Sequence, residues 1–249
     1  MRILIIRHGD PNYEVDGLTM QGVREAAALA EKMKCEKVDA IYSSTLGRAI
    51  MTAEPTARAL NMGVVRCSWL REFNYAKVKL PYMDEESICW DLLPEFVNGC
   101  EGIYSPTRWR ELDFIKNSDL LPHYDNVCTE LDALLARHGY ERDGYNYRAV
   151  KPNHDTIVLF CHYGITSVLL AHLMNCSPYT FWQNAVTLPT SVTTVYTEER
   201  EEGRASMRVA SIGDLSHLYA AGVEPSFSAR FCECFTDDTR HGGDPNKKK

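Results

Sequence analysis

Apolar residues fall along this chain in two textures. Short unbroken or β-branched runs (residues 3–6, 38–42, 63–67 and 156–161) alternate with stretches where apolar side chains recur every three or four positions. The first texture predicts strands buried on both faces, the second helices lying on them. Thr19 stands where an N-cap belongs, and Met20, Val23, Ala26, Ala27, Ala30 and Met33 follow at helical spacing, predicting a helix of about four turns. Ser43, Ser44 and Thr45 form a second capping cluster ahead of residues 46–60, a helical stretch in which Pro55 predicts a kink or break near Glu54. The order strand, helix, strand, helix, strand with short connections points to an open parallel sheet covered by helices.

The pattern returns late. Residues 156–161 read as a strong strand with an apolar helix over 165–174 behind it, and residues 192–197 and 207–212 as two final strands. Gly203 lies in the charged stretch between those two, so a hairpin could close there and leave one late strand antiparallel. Residues 73–154 break the alternation. They hold Tyr75, Tyr82, Trp90, Phe96, Tyr104, Trp109 and Phe114, and one convincing helix near residues 123–138 whose buried face would carry Leu131, Leu134 and Leu135. This insertion is expected to act as a lid or cap, or else as a helical addition packed on the sheet edge. One domain over residues 1–224 is expected, followed by a tail over 225–249 whose DDTRHGGDPNKKK end reads as disordered.

Composition narrows the function classes. Hydrophobic residues make up 45% and charged residues 24%, as in ordinary globular proteins, and the net charge is −7. That balance argues against nucleic-acid and anionic-membrane partners, which are held by Lys and Arg. The four apolar residues before Arg7 are too few for a signal peptide or a membrane span, and a cytoplasmic location is expected. The nine cysteines include one C-x-C, Cys232 and Cys234, without the second pair or clustered histidines that a zinc site needs. They read as reduced, mostly small apolar residues, and no metal and no cofactor are expected.

Chemistry concentrates at strand ends. Arg7-His8-Gly9 closes the first strand, and His162-Tyr163-Gly164 closes the strand at 156–161, just before a helix. In open parallel sheets ligands bind beyond the carboxyl ends of the strands, so both histidines could face one crevice. Gly9 and Gly164 would let backbone approach a ligand, and the helix behind His162 would aim N–H groups at an anion. Arg48, one turn into the second helix, lies on the same rim. Two arginines and a histidine converging on one point suit an oxyanion, phosphate best.

Taken together, IIRHGDP (5–11), LTMQGVREA (18–26), IYSSTLGRAIMTA (41–53), the Leu70-x-Glu72 step and VLFCHYGIT (158–166) resemble the histidine phosphatase superfamily, which includes cofactor-dependent phosphoglycerate mutases and fructose-2,6-bisphosphatase. The matching pieces span the α/β core in order and leave the insertion and tail unmatched. The resemblance implies a three-layer α/β/α sandwich around a mixed, mostly parallel six-stranded sheet with one antiparallel strand. It implies His8 as the nucleophile that becomes phosphohistidine, and Arg7, Arg48 and His162 as the clamp on phosphoryl oxygens. Glu72 resembles the proton donor to the leaving oxygen, with Asp10 a weaker candidate for that role. Gly164 belongs to the expected phosphate-binding set, and Asn12 and Tyr13 are expected on the substrate side. The histidines at 123, 138, 154, 172, 217 and 241 have no motif context and read as structural or exposed. The segment Leu70-Arg71-Glu72-Phe73-Asn74-Tyr75 departs from the mutase pattern, which has Asn before the acid and His-Tyr-Gly soon after. Hydrolysis of a phosphorylated small molecule is therefore expected ahead of mutase activity, and ahead of a non-catalytic phosphate-binding role.

Overall fold

Ile3, Ile5 and Ile6 lose essentially all exposure, and Arg2–Arg7 is accordingly a central strand, β1. The computed structural model describes residues 1–237. After β1 come α1 (Met20–Met33), β2 (Ala40–Ser44), α2 (Gly47–Leu60) and β3 (Val65–Cys67). The insertion supplies α3 (Leu120–Arg137) and a hairpin, β4 (Tyr140–Asp143) and β5 (Asn146–Ala149). β6 (Thr156–Cys161), α4 (Tyr163–Met174), β7 (Val192–Glu201), β8 (Arg204–Asp214) and α5 (Ser216–Ala220) complete the core.

The sheet runs β3-β2-β6-β1-β7-β8-β5-β4. The first four strands are parallel, and every later pairing is antiparallel. Alternate side chains of the central strands feed two cores. Leu4, Ile6, Val158 and Phe160 meet Leu29, Met33, Ala53 and Ala57 of α1 and α2. Ile3, Ile5, Ile157 and Leu159 share the opposite core with Leu131 and Leu135 of α3 and Val168 and Leu169 of α4. This period-two division makes the three layers.

Several expectations need correction. The sheet has eight strands, not six. Within β3-β2-β6-β1-β7-β8 only β7 runs against the rest, as the resemblance implied, but the β4–β5 hairpin adds two strands beyond β8. The insertion is thus not purely helical. Asp143-Gly144 is a hairpin signal, with Gly144 at φ 58°, and Tyr140, Tyr147 and Ala149 alternate inward around it. Tyr147 donates to Asp132 of α3 (2.9 Å), which also bonds His172 of α4 (2.9 Å), so the hairpin is tied to both helices.

α2 runs unbroken through Pro55. The acceptor left without its usual donor is the carbonyl of Met51, a residue on the solvent side of the helix, where water can serve it. In α1, Thr19 caps as expected, accepting from Gly22 N at 3.1 Å. The buried face, however, is Gly22, Glu25, Ala26, Ala28, Leu29, Ala30 and Met33, while Met20, Val23 and Ala27 face solvent. The start of the expected tail is bonded to the domain: Ser226 N donates to Glu25 (2.9 Å), and its hydroxyl to Asp10. The disorder expected near the C-terminus falls, but for Asp237, outside the described residues. Among the described residues, no helix is long and apolar enough to cross a membrane.

Candidate active site

The register of β1 on β6 sets Arg7 opposite Cys161. The next residue of each strand, His8 and His162, therefore emerge side by side, with ring centroids 5.0 Å apart. His8 N continues the ladder to Cys161 O (2.9 Å). Its ring Nδ1 lies 2.7 Å from Gly9 O. A carbonyl can only accept, so Nδ1 carries the proton and Nε2 keeps its lone pair. Burial holds the His8 imidazole well below its ordinary pKa, and the Arg7 charge adds to the effect.

Gly9 is required by packing: a Cβ there would stand 2.8 Å from Gly22 O, so the loop after β1 rests directly on α1. Thr52 Oγ1 accepts from Gly9 N (2.9 Å) and donates to Arg48 O (2.7 Å), joining that loop to α2. Asp10 is held by Glu25, which accepts from its N–H (2.8 Å), while its carboxylate accepts from the Thr19 hydroxyl (2.6 Å) and from Ser226. Both Asp10 oxygens thus serve the loop's architecture.

Three expected clamp residues converge on His8. Arg7 is buried, with Nη1 donating to Thr187 O at 2.5 Å and the guanidinium 5.9 Å from the Tyr163 ring. Arg48 donates to Asp16 Oδ1 at 2.7 Å. His162 Nε2 meets Ser44 Oγ at 2.8 Å, and burial, then the His8 and arginine charges, push it well below its ordinary pKa. Each keeps one buried polar atom with no protein partner: Arg7 Nε, Arg48 Nε and His162 Nδ1. Unpaired buried polar atoms are costly, and a bound oxyanion is one partner that would satisfy these three.

Glu72 sits between buried Leu70 and Phe73. Its Oε1 accepts from Phe73 N and Gly164 N, both at 2.9 Å. Burial raises its pKa despite those bonds and the charges of Arg7 and Arg48. The Gly164 N–H is therefore used to hold Glu72. Gly164 must lack a side chain, since a Cβ would lie 2.7 Å from Glu72 Oε1 and 2.6 Å from Trp90. Asn12 Oδ1 accepts from Glu14 N (3.1 Å) in a small hairpin, and the exposed Tyr13 ring lies 5.5 Å from the Arg48 guanidinium.

The structure adds residues the sequence reading passed over. Asp16, at φ 46°, caps α2 through Gly47 N (2.6 Å) while aiming Arg48. Thr190 N donates to His8 O (3.2 Å), and the Thr190 hydroxyl meets His217 Nε2 at 3.1 Å, where burial lowers His217 to about 4. Trp90 brings the insertion to the site. No local motif marks any of these; each acts across long sequence separations. Among the described residues, no group of three or more His, Cys, Asp or Glu side chains is arranged to hold a metal ion.

The fold has known counterparts. Residues 3–105 match the histidine phosphatase superfamily (branch 1). A probable phosphoglycerate mutase, GpmB, of Proteus mirabilis is 34% identical over 83 residues, covering 30% of this chain and 39% of that protein, so the match spans well under half of its length. Among solved structures, a phosphoserine phosphatase of Entamoeba histolytica in complex with phosphoserine matches with a TM-score of 0.58 and 18% identity, over 87% of this chain and 98% of that one. A mycobacterial glucosyl-3-phosphoglycerate phosphatase matches with a TM-score of 0.56 and 20% identity, over 85% and 98%. The likeness to these structures is one of fold, and the stretch that matches the histidine phosphatase superfamily, residues 3–105, carries Arg7, His8, Arg48 and Glu72.

Proposed function

We propose that the protein is a metal-independent phosphomonoesterase that works through a phosphohistidine at His8. The observation that carries this reading is the set of unpaired donors on Arg7, Arg48 and His162 grouped around an imidazole whose Nε2 keeps its lone pair. His8 Nε2 attacks phosphorus as the bond to the leaving oxygen breaks. The three donors take up charge on the nonbridging oxygens, in a pocket where positioning and electrostatics supply most of the acceleration. Glu72, kept protonated to higher pH by burial, gives its proton to the departing oxygen. Its carboxylate then takes a proton from the attacking water, and the P–N bond electrons return to Nε2. The positive charge on the phosphorylated ring is met by the Nδ1–H···O=C bond to Gly9. The chain's own cations do what a bound metal would do, and activity should survive exhaustive EDTA treatment.

Mutase activity, the description of the partial relative, is disfavoured by the Leu70–Tyr75 sequence. A phosphatase need only admit water after the first transfer. The deciding experiment is acid-labile, base-stable labelling by phosphate donor. Wild type should label and turn over para-nitrophenyl phosphate, and His8→Ala should do neither while keeping its fold. Retention of more than a few per cent of the rate in His8→Ala would exclude the covalent route. Label that accumulates in wild type without release would indicate a phosphate-binding protein instead.

A further inference from the structure

Three aromatic side chains stand at the edge of this site, delivered by three distant segments. Tyr13, 65% exposed, comes from the small hairpin after β1 and lies over Arg48. Trp90 comes from the insertion. Its six-membered ring comes within 2.6 Å of where a Gly164 Cβ would be, a point 2.7 Å from Glu72 Oε1, and it meets the Tyr163 ring edge-on at 6.3 Å. Phe231, 52% exposed, comes from the C-terminal segment and packs on the same Tyr163 ring at 5.2 Å. Tyr163 in turn lies under Arg7. Each exposed or half-exposed ring therefore rests on a residue of the phosphate site or on its direct support.

The position of Trp90 is held. The Trp90 carbonyl accepts from Gln183 Nε2 (2.6 Å), and its ring packs against Trp182 at 5.9 Å. Exposed apolar rings cost hydration free energy, and three collected around one pocket mark a recognition surface. The position of Trp90 beside Glu72 matters most, because the proton donor must face the leaving oxygen. Aromatic faces carry partial negative charge and Glu72 is itself acidic, so this wall disfavours an anionic leaving group. The cations bearing on His8 are Arg7 and Arg48, and one phosphoryl group engages both.

The geometry points to a leaving-group subsite formed by Tyr13, Trp90 and Phe231 that selects phosphate monoesters of aromatic alcohols. This rests on the phosphatase reading above and names its substrate class. Rigid rings accept another ring by offset or edge-on stacking, at a smaller ordering cost than flexible side chains and with more contact than an alkyl chain offers. Esters whose leaving group carries a carboxylate close to the phosphate are poor fits.

Phosphonates test this without the leaving-group chemistry that favours aryl esters in any phosphatase. Benzylphosphonate, cyclohexylmethylphosphonate and ethylphosphonate are compared as competitive inhibitors of para-nitrophenyl phosphate hydrolysis by the full chain. Benzylphosphonate should bind about tenfold more tightly than ethylphosphonate and about threefold more tightly than the cyclohexyl compound. In Trp90→Ala the benzyl-to-ethyl ratio should fall to about two. Benzylphosphonate should also quench tryptophan fluorescence in wild type more than ethylphosphonate does, a readout that does not depend on the variant folding. Equal inhibition by benzyl and ethyl compounds, with hydrolysis intact, overturns the subsite and leaves the phosphatase reading standing. A cyclohexyl compound as tight as benzyl shows a general apolar wall and overturns the aromatic class. Absence of any hydrolysis by wild type overturns the underlying reading, and the subsite with it.

Discussion

His8 and Glu72 share one pocket, and burial displaces them in opposite directions: the imidazole toward its neutral form and the carboxyl toward its protonated form. Desolvation always favours the uncharged species, so a base and an acid buried together become a neutral nucleophile and a neutral proton donor at the same pH. The two reactive forms coexist between the lowered pKa of His8 and the raised pKa of Glu72. Activity should therefore rise as pH climbs through the first and fall as Glu72 loses its proton. Glu72→Gln should flatten that upper limb. It should also cost about a hundredfold with an alkyl phosphate and only a few-fold with para-nitrophenyl phosphate, whose leaving group departs without a proton. Asp10→Asn is the control. If Asp10→Asn shows the leaving-group dependence and Glu72→Gln does not, the acid has been misassigned. The hydroxyls of Thr19 and Ser226 on the Asp10 carboxylate argue for Glu72.

At the scale of elements, the site depends on how closely α1 approaches the loop after β1. A Cβ on Gly22 would collide with the backbone of Asp10, and neither partner is a side chain that can swing away. Gly22→Ala should displace His8 and lower kcat by about tenfold or more, since small misplacements of reacting groups are costly. α1 itself should persist, because alanine is the better helix former. Circular dichroism alongside kinetics would separate these effects, and an unchanged kcat would show that the loop is not held by this contact. The same scale explains what the sequence disclosed. His8, Arg7 and His162 were legible because strand ends and glycines mark them locally, and Arg48 because a serine cluster announces its helix. Asp16, Glu25 and Thr190 were not, since each matters through a partner far along the chain: Arg48, Ser226 and His217. The β4–β5 hairpin was missed though Asp143-Gly144 announces it; the aromatic density ahead of α3 drew the whole region into one cap. Pro55 misled because its penalty vanishes where the carbonyl it abandons faces water.

Across the whole molecule, buried histidines link stability to pH. Burial lowers His8, His138, His162 and His217, the last to about 4. The unfolded chain would protonate these residues near pH 6.5, so below that value it binds more protons than the folded chain, and stability falls with falling pH. Each fully buried histidine that stays neutral contributes a slope of about 1.4 kcal/mol per pH unit in that window. Glu25 and Glu72, raised by burial, act in the opposite sense, since their folded forms take up protons above the ordinary carboxylate range. With four groups against two, Tm should drop between pH 6.5 and 4.5, and His217→Gln should make the drop shallower. A Tm that holds or rises over that range would contradict this balance.

The insertion gives the molecule a further property. Residues 146–149 pair with β8 through Tyr147 and Arg148, while Trp90, in the same insertion, lies with Glu72 against Gly164. A segment that both finishes the sheet and walls the pocket is not an interchangeable module. Replacing residues 73–154 wholesale with those of a relative would strip Arg204 and Ala205, at the start of β8, of their outer partners, and lengthening an unpaired strand edge invites aggregation. A chimera meant to carry a new specificity should keep α3 and the hairpin and exchange only the stretch ahead of α3, so that selectivity can be transplanted while the scaffold stays native.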